Sequence, residues 1–334
     1  DKDAEDVPTL GALTLGVSTT VPIDVPDRLG VGLTIFAPTG GILDMEAKSD
    51  SSAPEWFSYG KRHNRLLLLP AFGLKLIDGI SLGIGLPMIL NAIGETTIEG
   101  GLTAPVQTDL EIELRPGFGA IVGFLFTPKD WLSFGITYRS EIAMELEFPA
   151  TAVLEGITLP IDLETTQFFS PHQVQFGAAV NFTDDLLVSL DFAWVNWSGY
   201  DRPFLEVKSS AAAVIQSVDV DFRDVFHFRL GAELVANDWL IVRGGYAFRT
   251  SAVPDQSDET TNLVDSNKHV FSIGAGFTFG QAPEELSDEA KASEGRAETM
   301  EEALVDASFD LDVFLQYHFH ESVSADKPAG DPVG

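Results

Sequence analysis

A regular alternation of apolar with small or polar residues, repeated along most of the chain, limits what this sequence can fold into more than any other feature. From Leu110 to Thr127 one face reads Leu110, Ile112, Leu114, Pro116, Phe118, Ala120, Val122, Phe124 and Phe126. The other reads Glu111, Glu113, Arg115, Gly117, Gly119, Ile121, Gly123, Leu125 and Thr127. Between Asp185 and Trp197 the apolar set is Leu186, Val188, Leu190, Phe192 and Trp194. The pattern returns in Trp131 to Ile142, His172 to Phe182, Phe226 to Val235, Leu240 to Arg249 and Val270 to Phe279. A period of two predicts strands. In a soluble sandwich the second face would meet water and carry charge and hydroxyl groups, whereas here it is dominated by Gly, Ala and Ser, as in the packed lumen of a barrel. The longest charge-free apolar run, Gly79 to Gly94, is shorter than a spanning helix and contains Gly and Pro. A closed barrel is the other way to satisfy every backbone group in lipid. The fold class predicted is all-β, an antiparallel transmembrane β-barrel forming one domain over residues 1–334.

Connector lengths give the topology. Short connectors at Thr19 to Asp27, Ile77 to Gly79, Pro128 to Asp130, Thr183 to Asp184 and Asn237 to Asp238 alternate with long ones. The long ones are Ala37 to Asn64, Asn91 to Thr108, Phe148 to Pro171, Ser198 to Asp224 and Thr250 to Lys268. Outer-membrane barrels place short turns in the periplasm and long loops outside. Trp131 and Trp239 follow short turns, and Trp194, Trp197 and Tyr200 close a strand at the opposite rim, as two interfacial aromatic girdles would. Counting gives about twelve strands, with the first descending and the last, Phe309 to Phe319, ascending. An even-stranded barrel with periplasmic termini then implies about fourteen, with a strand missing at each end. The alternative makes Phe319 the terminal aromatic of a closing strand. Residues 281–307, rich in Glu and Ala, read as an acidic helical periplasmic insertion, with partner docking as the alternative.

The formal net charge of −31, from 51 acidic and 20 basic residues, excludes nucleic acid and other polyanions as partners. It fits either a solvated face or acidic loops meeting a cation-rich lipopolysaccharide layer. Cysteine is absent, so disulfides and thiolate metal sites are ruled out. The start, Asp1 to Pro8, is polar and acidic, as in a mature or trimmed form.

Several stretches resemble the FadL-type family of outer-membrane transporters for long-chain fatty acids and aromatic hydrocarbons. They are Leu29 to Leu33 leading to Ala37-Pro38-Thr39-Gly40, Leu69 to Gly73, Ile136 to Glu141, Trp194 to Ser198 and Phe228 to Gly231. The most specific is Trp239 to Asp255, with Arg243-Gly244-Gly245-Tyr246 and Ser251 to Asp255, followed by Lys268-His269 and Ser272 to Gly274. The resemblance runs over roughly residues 12 to 320. It implies an integral barrel of about fourteen strands in the bacterial outer membrane, closed by an N-terminal hatch and opened sideways by a strand kink. The hatch segment and terminal strands are not matched in this sequence. By position the kink falls at Pro38, Gly40 and Gly41, where proline removes a ladder donor and glycine permits unusual dihedrals.

Seven charged residues share the small-residue face: Arg139, Glu141, Asp191, Arg229, Glu233, Arg243 and Arg249. They would be costly in hydrocarbon and are expected to face the lumen. There they either fill the barrel as ion pairs or offer an arginine to a ligand carboxylate. The six histidines, His63, His172, His227, His269, His318 and His320, show no catalytic-triad or metal-ligand spacing, so no enzyme activity, metal or cofactor is expected. Two functions remain open: a passive, laterally opening transporter of hydrophobic molecules, and a structural or partner-binding barrel. The transporter needs an apolar pocket, for which Phe36, Ile89 and Leu125 are candidates. Partners implied are outer-membrane lipid and lipopolysaccharide, a hydrophobic small molecule, and another chain completing or docking on the barrel.

Overall fold

The structure, a computed structural model, describes residues 12–21, 28–39, 55–56, 66–100, 107–154, 157–201, 203–204, 206–209, 212–216, 220–256, 261–279 and 309–324. Its strands are β1 (Ala12–Val21), β2 (Leu29–Pro38), β3 (Glu55–Trp56), β4 (Leu67–Ile77), β5 (Ile80–Gly85), β6 (Met88–Gly100), β7 (Gln107–Phe118), β8 (Ile121–Lys129), β9 (Leu132–Arg139) and β10 (Ile142–Leu154). There follow β11 (Ile157–Ser170), β12 (Gln173–Thr183), β13 (Leu186–Val195), β14 (Glu206–Ser209), β15 (Ala212–Gln216), β16 (Val225–Asn237), β17 (Leu240–Arg249), β18 (Leu263–Val264), β19 (Lys268–Phe279) and β20 (Phe309–His320).

Twelve of them form one antiparallel wall in the order β1, β2, β4, β5, β8, β9, β12, β13, β16, β17, β19, β20. The outer face is apolar yet uncovered by protein: Leu15 is 56% exposed, Phe72 49%, Phe192 48% and Ile273 61%. A soluble sheet would have to bury such a surface; this one matches the lipid-facing band of a membrane barrel. In the described residues β1 and β20 are the two edges of the wall and are not paired with each other.

Among the described residues one rim carries four two-residue turns, each beginning with aspartate: Asp78-Gly79, Asp130-Trp131, Asp184-Asp185 and Asp238-Trp239. Short polar side chains fold the backbone there. Thr183 Oγ1 accepts from the amides of Asp185 and Leu186, and Asn237 Oδ1 from that of Trp239. Gly79 has φ +79°, and a Cβ on it would lie 2.6 Å from the Thr127 carbonyl oxygen, so only glycine fits.

At the other rim the structure corrects two predicted loops. Asn91 to Thr108 and Phe148 to Pro171 are mostly strand, because crossings continue past the wall after short interruptions. These fall at Leu86-Pro87, Gly119-Ala120, Ser140-Glu141 and Pro171-His172. Beyond them β7, β6, β10, β11, β14 and β15 form an outer sheet, with β6 and β10 parallel. Lys208 on β14 bridges Glu164 of β11 (2.7 Å) across it and Glu206 of its own strand (3.4 Å). Alternate glutamates made these strands look like solvated loops in sequence.

The aromatic girdles need a second correction. Trp131 and Trp239 lie at the short-turn rim, and Trp194 lies near the end of β13 toward the other. Trp197 and Tyr200 instead lie beyond the strand, where Tyr200 is buried with Phe169, Phe204, Val220, Phe222, Val225, Ala252 and Leu263 and Trp197 packs against them. They are the core of an outer cap, because the chain after Val195 turns over the rim through a short 3-10 turn, Trp197–Gly199. The predicted helical insertion, residues 281–307, lies outside the described residues.

Candidate functional site

The inner face is built by register. Residues directly opposite in an antiparallel ladder point the same way, so rows of side chains can be followed around the wall. One row runs Asp191, Arg229, Ala247, Val270, His318 across β13, β16, β17, β19 and β20. The next toward the short-turn rim runs Ser189, Gly231, Gly245, Ser272, Gln316, and the next Leu187, Glu233, Arg243, Gly274, Phe314. These rows line a cavity of about 610 Å³. Its roominess comes from pairing glycine with polar neighbours. A Cβ on Gly231 would sit 2.9 Å from Ser189 Oγ, and one on Gly245 2.7 Å from Ser272 Oγ, so these hydroxyls lie flat over bare backbone.

Arg243, Glu233, Asp191 and Arg229 all line this cavity. Arg243 Nε donates to Glu233 Oε2 at 2.6 Å and its Nη1 pairs with Asp312, a carboxylate that sequence reading did not single out. Alternation on β20 places Asp312 on the inner face, and that was its available signal. Asp191 accepts from Gln175 Nε2 at 3.1 Å, and Arg229 Nη2 lies 3.2 Å from His227 Nδ1. Arg139 ends β9 opposite Gln173 and Ile121. Glu141 falls in the interruption after β9, so strand alternation does not set its direction. Its amide lies 3.2 Å from His172 Nδ1 and its carboxylate faces the cap at Gly199. Arg249 ends β17 and pairs with Asp265 from the cap.

Of the three apolar candidates, two belong together. Phe36 is opposite Leu67, Leu67 opposite Ile89, and Ile89 opposite Gly117. Ile89, Ile142 and Met144 are buried as a cluster with Leu67 and Phe168 against them. Gly119 makes room, since a Cβ there would lie 2.7 Å from the Ile142 side chain. Leu125 lies apart on β8, opposite Ser81 and Gly135. Pro38 ends β2 opposite Ala12; Gly40 and Gly41 lie outside the described residues.

The cap is tied to the rim by two carboxylates. Asp265 accepts from Ser251 Oγ (3.2 Å) and the Ala252 amide (3.1 Å) besides pairing with Arg249. Asp224 accepts from Trp194 Nε1 (2.8 Å), Asn196 Nδ2 (3.1 Å) and the Ser198 amide (3.2 Å). Burial acts to raise the Asp224 carboxyl, and the hydrogen bonds from Ser198, Trp194 and Asn196 outweigh it, holding it below the usual carboxylate value. A lowered folded value stabilises the cap fully above the unfolded pKa near ~3.9, and the gain is lost as pH falls through the folded value. Protection of the Ser198 amide against hydrogen exchange, relative to its intrinsic rate, should therefore fall as pH drops below ~3.9. In Asp224→Asn that step should disappear, with protection lower by about 1–3 kcal/mol at neutral pH. An unchanged step in the variant would assign it elsewhere.

A family model described as "Outer membrane protein transport protein (OMPP1/FadL/TodX)" matches residues 14–287. The "47 kDa outer membrane protein" of Pasteurella multocida is 27% identical over 176 residues, 49% of this chain and 40% of that protein. "Alkane uptake protein A" of Marinobacter nauticus is 23% identical over 247 residues, 69% of this chain and 54% of that protein. The chain thus spans about half the length of the curated relatives it matches. Among solved structures, a Pseudomonas aeruginosa FadL homologue superimposes with a TM-score of 0.56 at 16% identity, covering 97% of this chain and 72% of that one.

Proposed function

Because the chain belongs to the outer membrane protein transport family (OMPP1/FadL/TodX) and is an integral outer-membrane protein, we propose that it lines a passage for hydrophobic molecules, long-chain fatty acids or hydrocarbons. The observation that carries this reading is the inner face itself. An open cavity floored by Gly231 and Gly245 lies in the wall, and a buried apolar patch of Ile89, Ile142 and Met144 lies at the rim, where β6 meets β4 and the outer sheet begins. A barrel built only as a scaffold has no need of such room inside or of an apolar patch at its mouth. Passage is passive in this reading, since neither the cavity nor the apolar patch supplies an energy source. Release is lateral, into the membrane beside Pro38, Gly40 and Gly41. Acidic outer segments meet lipopolysaccharide through divalent cations, and another chain completes or docks on the barrel.

The family is one of transport channels, and the test is uptake. Cells carrying the intact protein should accumulate a long-chain fatty acid or an alkane faster than cells lacking it, in proportion to external concentration. Equal uptake of both compounds by the two strains would remove the transport reading and leave a structural barrel.

A further inference from the structure

The outer cap is seated on the inner side of the wall. Val195 on β13 and Val225 on β16 lie opposite each other in the ladder, and alternation puts Val195 on the inner face with Ala193 and Asp191. Both valines are buried, in one cluster with Tyr200, Phe222, Ala252 and Leu263 of the cap. Phe192 and Phe226, on the other face of the same two strands, stay exposed. At this height, therefore, protein covers the lumen side of these strands and leaves their lipid side bare.

The cap is held in two different ways. Its residues between β13 and β16 and its residues between β17 and β19 are fastened where they leave the wall. Asp224 gathers Trp194, Asn196 and Ser198 at one root, and Asn267 Oδ1 accepts from the Ser251 amide (3.0 Å) at the other. The Arg223 amide donates to the Ala252 carbonyl (2.8 Å), which joins the two pieces. Phe169 of β11 adds to this side, its ring stacked on Tyr200 with centroids 4.8 Å apart. The remaining attachment is of another kind. There β18 pairs in parallel with β3, which belongs to the chain between β2 and β4. In the wall β2 and β4 stand second and third, whereas β17 and β19 stand tenth and eleventh, so this contact bypasses the strands between them. It is two residues long, Leu263 with Glu55 and Val264 with Trp56, and forms a sheet of its own. So short a parallel pair holds few hydrogen bonds, each worth little net against water, and it can break and re-form while the wall stays whole.

We propose that the cap is a hinged lid on the lumen, rooted at the ends of β13, β16, β17 and β19 and latched by the β3–β18 pair, and that ligands enter from outside when the latch opens. The inference rests on the transport reading and assigns its entry step. The 610 Å³ cavity lies on the inner face of the strands that carry the roots. Opening bares the apolar residues that the closed lid buries, Tyr200 and Phe222 against Val195 and Val225. Water penalises that exposure, which keeps the lid shut when no ligand is present, and a hydrophobic guest at the mouth covers the same surface and so favours the open state.

The chain has no cysteine, so Trp56→Cys combined with Val264→Cys places the protein's only thiols on the two strands of the latch. A short bis-methanethiosulfonate joins them and a reductant frees them, so one folded preparation serves as its own control. The readout is the initial uptake of labelled palmitate by cells carrying the full-length protein. Joining the thiols should slow uptake about tenfold or more, toward that of cells lacking the protein, because it removes the minor open population. Reduction should restore the rate, and the same reagent should leave the cysteine-free protein unaffected. Uptake unchanged once the thiols are joined, or a loss that reduction does not reverse, would overturn the lid while leaving transport standing. Untreated cells that take up palmitate no faster than cells lacking the protein would overturn both.

Discussion

Leu190→Arg is expected to abolish assembly of the protein into lipid. Leu190 lies midway along β13, and its side chain is 43% exposed on the face it shares with Phe192, Phe176 and Phe228. Among the described residues no protein group lies there to take a charge, so the guanidinium would have to enter hydrocarbon at a cost of about 2–4 kcal/mol near the midplane. That is a large part of the stability of an ordinary domain, roughly 5–15 kcal/mol. Phe192→Arg should behave alike. Asp191→Asn, one residue away on the lumen side, should fold into detergent or lipid normally, because its neighbours Gln175 and Arg229 can bond an amide. The measurement is folded yield in vesicles. If Leu190→Arg assembled as well as Asp191→Asn, the inner and outer faces would be assigned the wrong way round.

The contrast between those two adjacent residues also shows why the wall was legible in sequence. Strand pleat forces every second side chain to one face, and lipid accepts almost nothing but apolar groups, so Leu190, Phe192 and Trp194 against Ser189, Asp191 and Ala193 state both strand and membrane at once. The four aspartate-led turns were legible for a related reason: a two-residue reversal needs residues that fold back on their own backbone. Outside the membrane neither constraint holds. β6, β7, β10 and β11 run on into an outer sheet whose two faces are not divided between oil and lumen, so Glu145 and Glu164 carried no message distinguishing strand from loop.

The site was legible in part, for the same reason. Alternation placed Arg229, Glu233 and Arg243 on the inner face, but pairing depends on which strands become neighbours, and Arg243 finds Asp312 across 69 positions of chain. Phe36 and Ile89 likewise share a row only because β2, β4 and β6 lie side by side. For Glu141 alternation sets no direction, because the strand stops at Arg139, two residues before it. Trp197 and Tyr200 misled because aromatic residues near a strand end suit an interface and a loop core equally well.

Loss of the Asp265 carboxylate should open the cap while leaving the wall intact. Asp265 is 1% exposed and Arg249 17%, and the pair is reinforced by Ser251 Oγ and the Ala252 amide. In Asp265→Ala the acceptor of all three donors disappears and a mostly buried guanidinium loses the carboxylate opposite it. Breaking a buried pair by removing one partner costs about 3–5 kcal/mol. The wall strands do not depend on that contact, since β17 keeps its full ladder with β16 and β19. The loss should therefore appear as local opening of residues 250–267 rather than as global unfolding. Hydrogen exchange reads this directly: amides of Ser251 to Val253 and of Thr261 to Ser266 should lose protection, while those of Leu240 to Phe248 keep it. Asp265→Asn should fall between, because the amide oxygen still accepts from Ser251 and Ala252 but no longer neutralises Arg249. Adding Arg249→Met to Asp265→Asn should recover part of the loss by removing the stranded charge. Unchanged protection across 250–267 in Asp265→Ala would mean that the apolar core of Tyr200, Phe222 and Leu263 holds the cap without its ion pair.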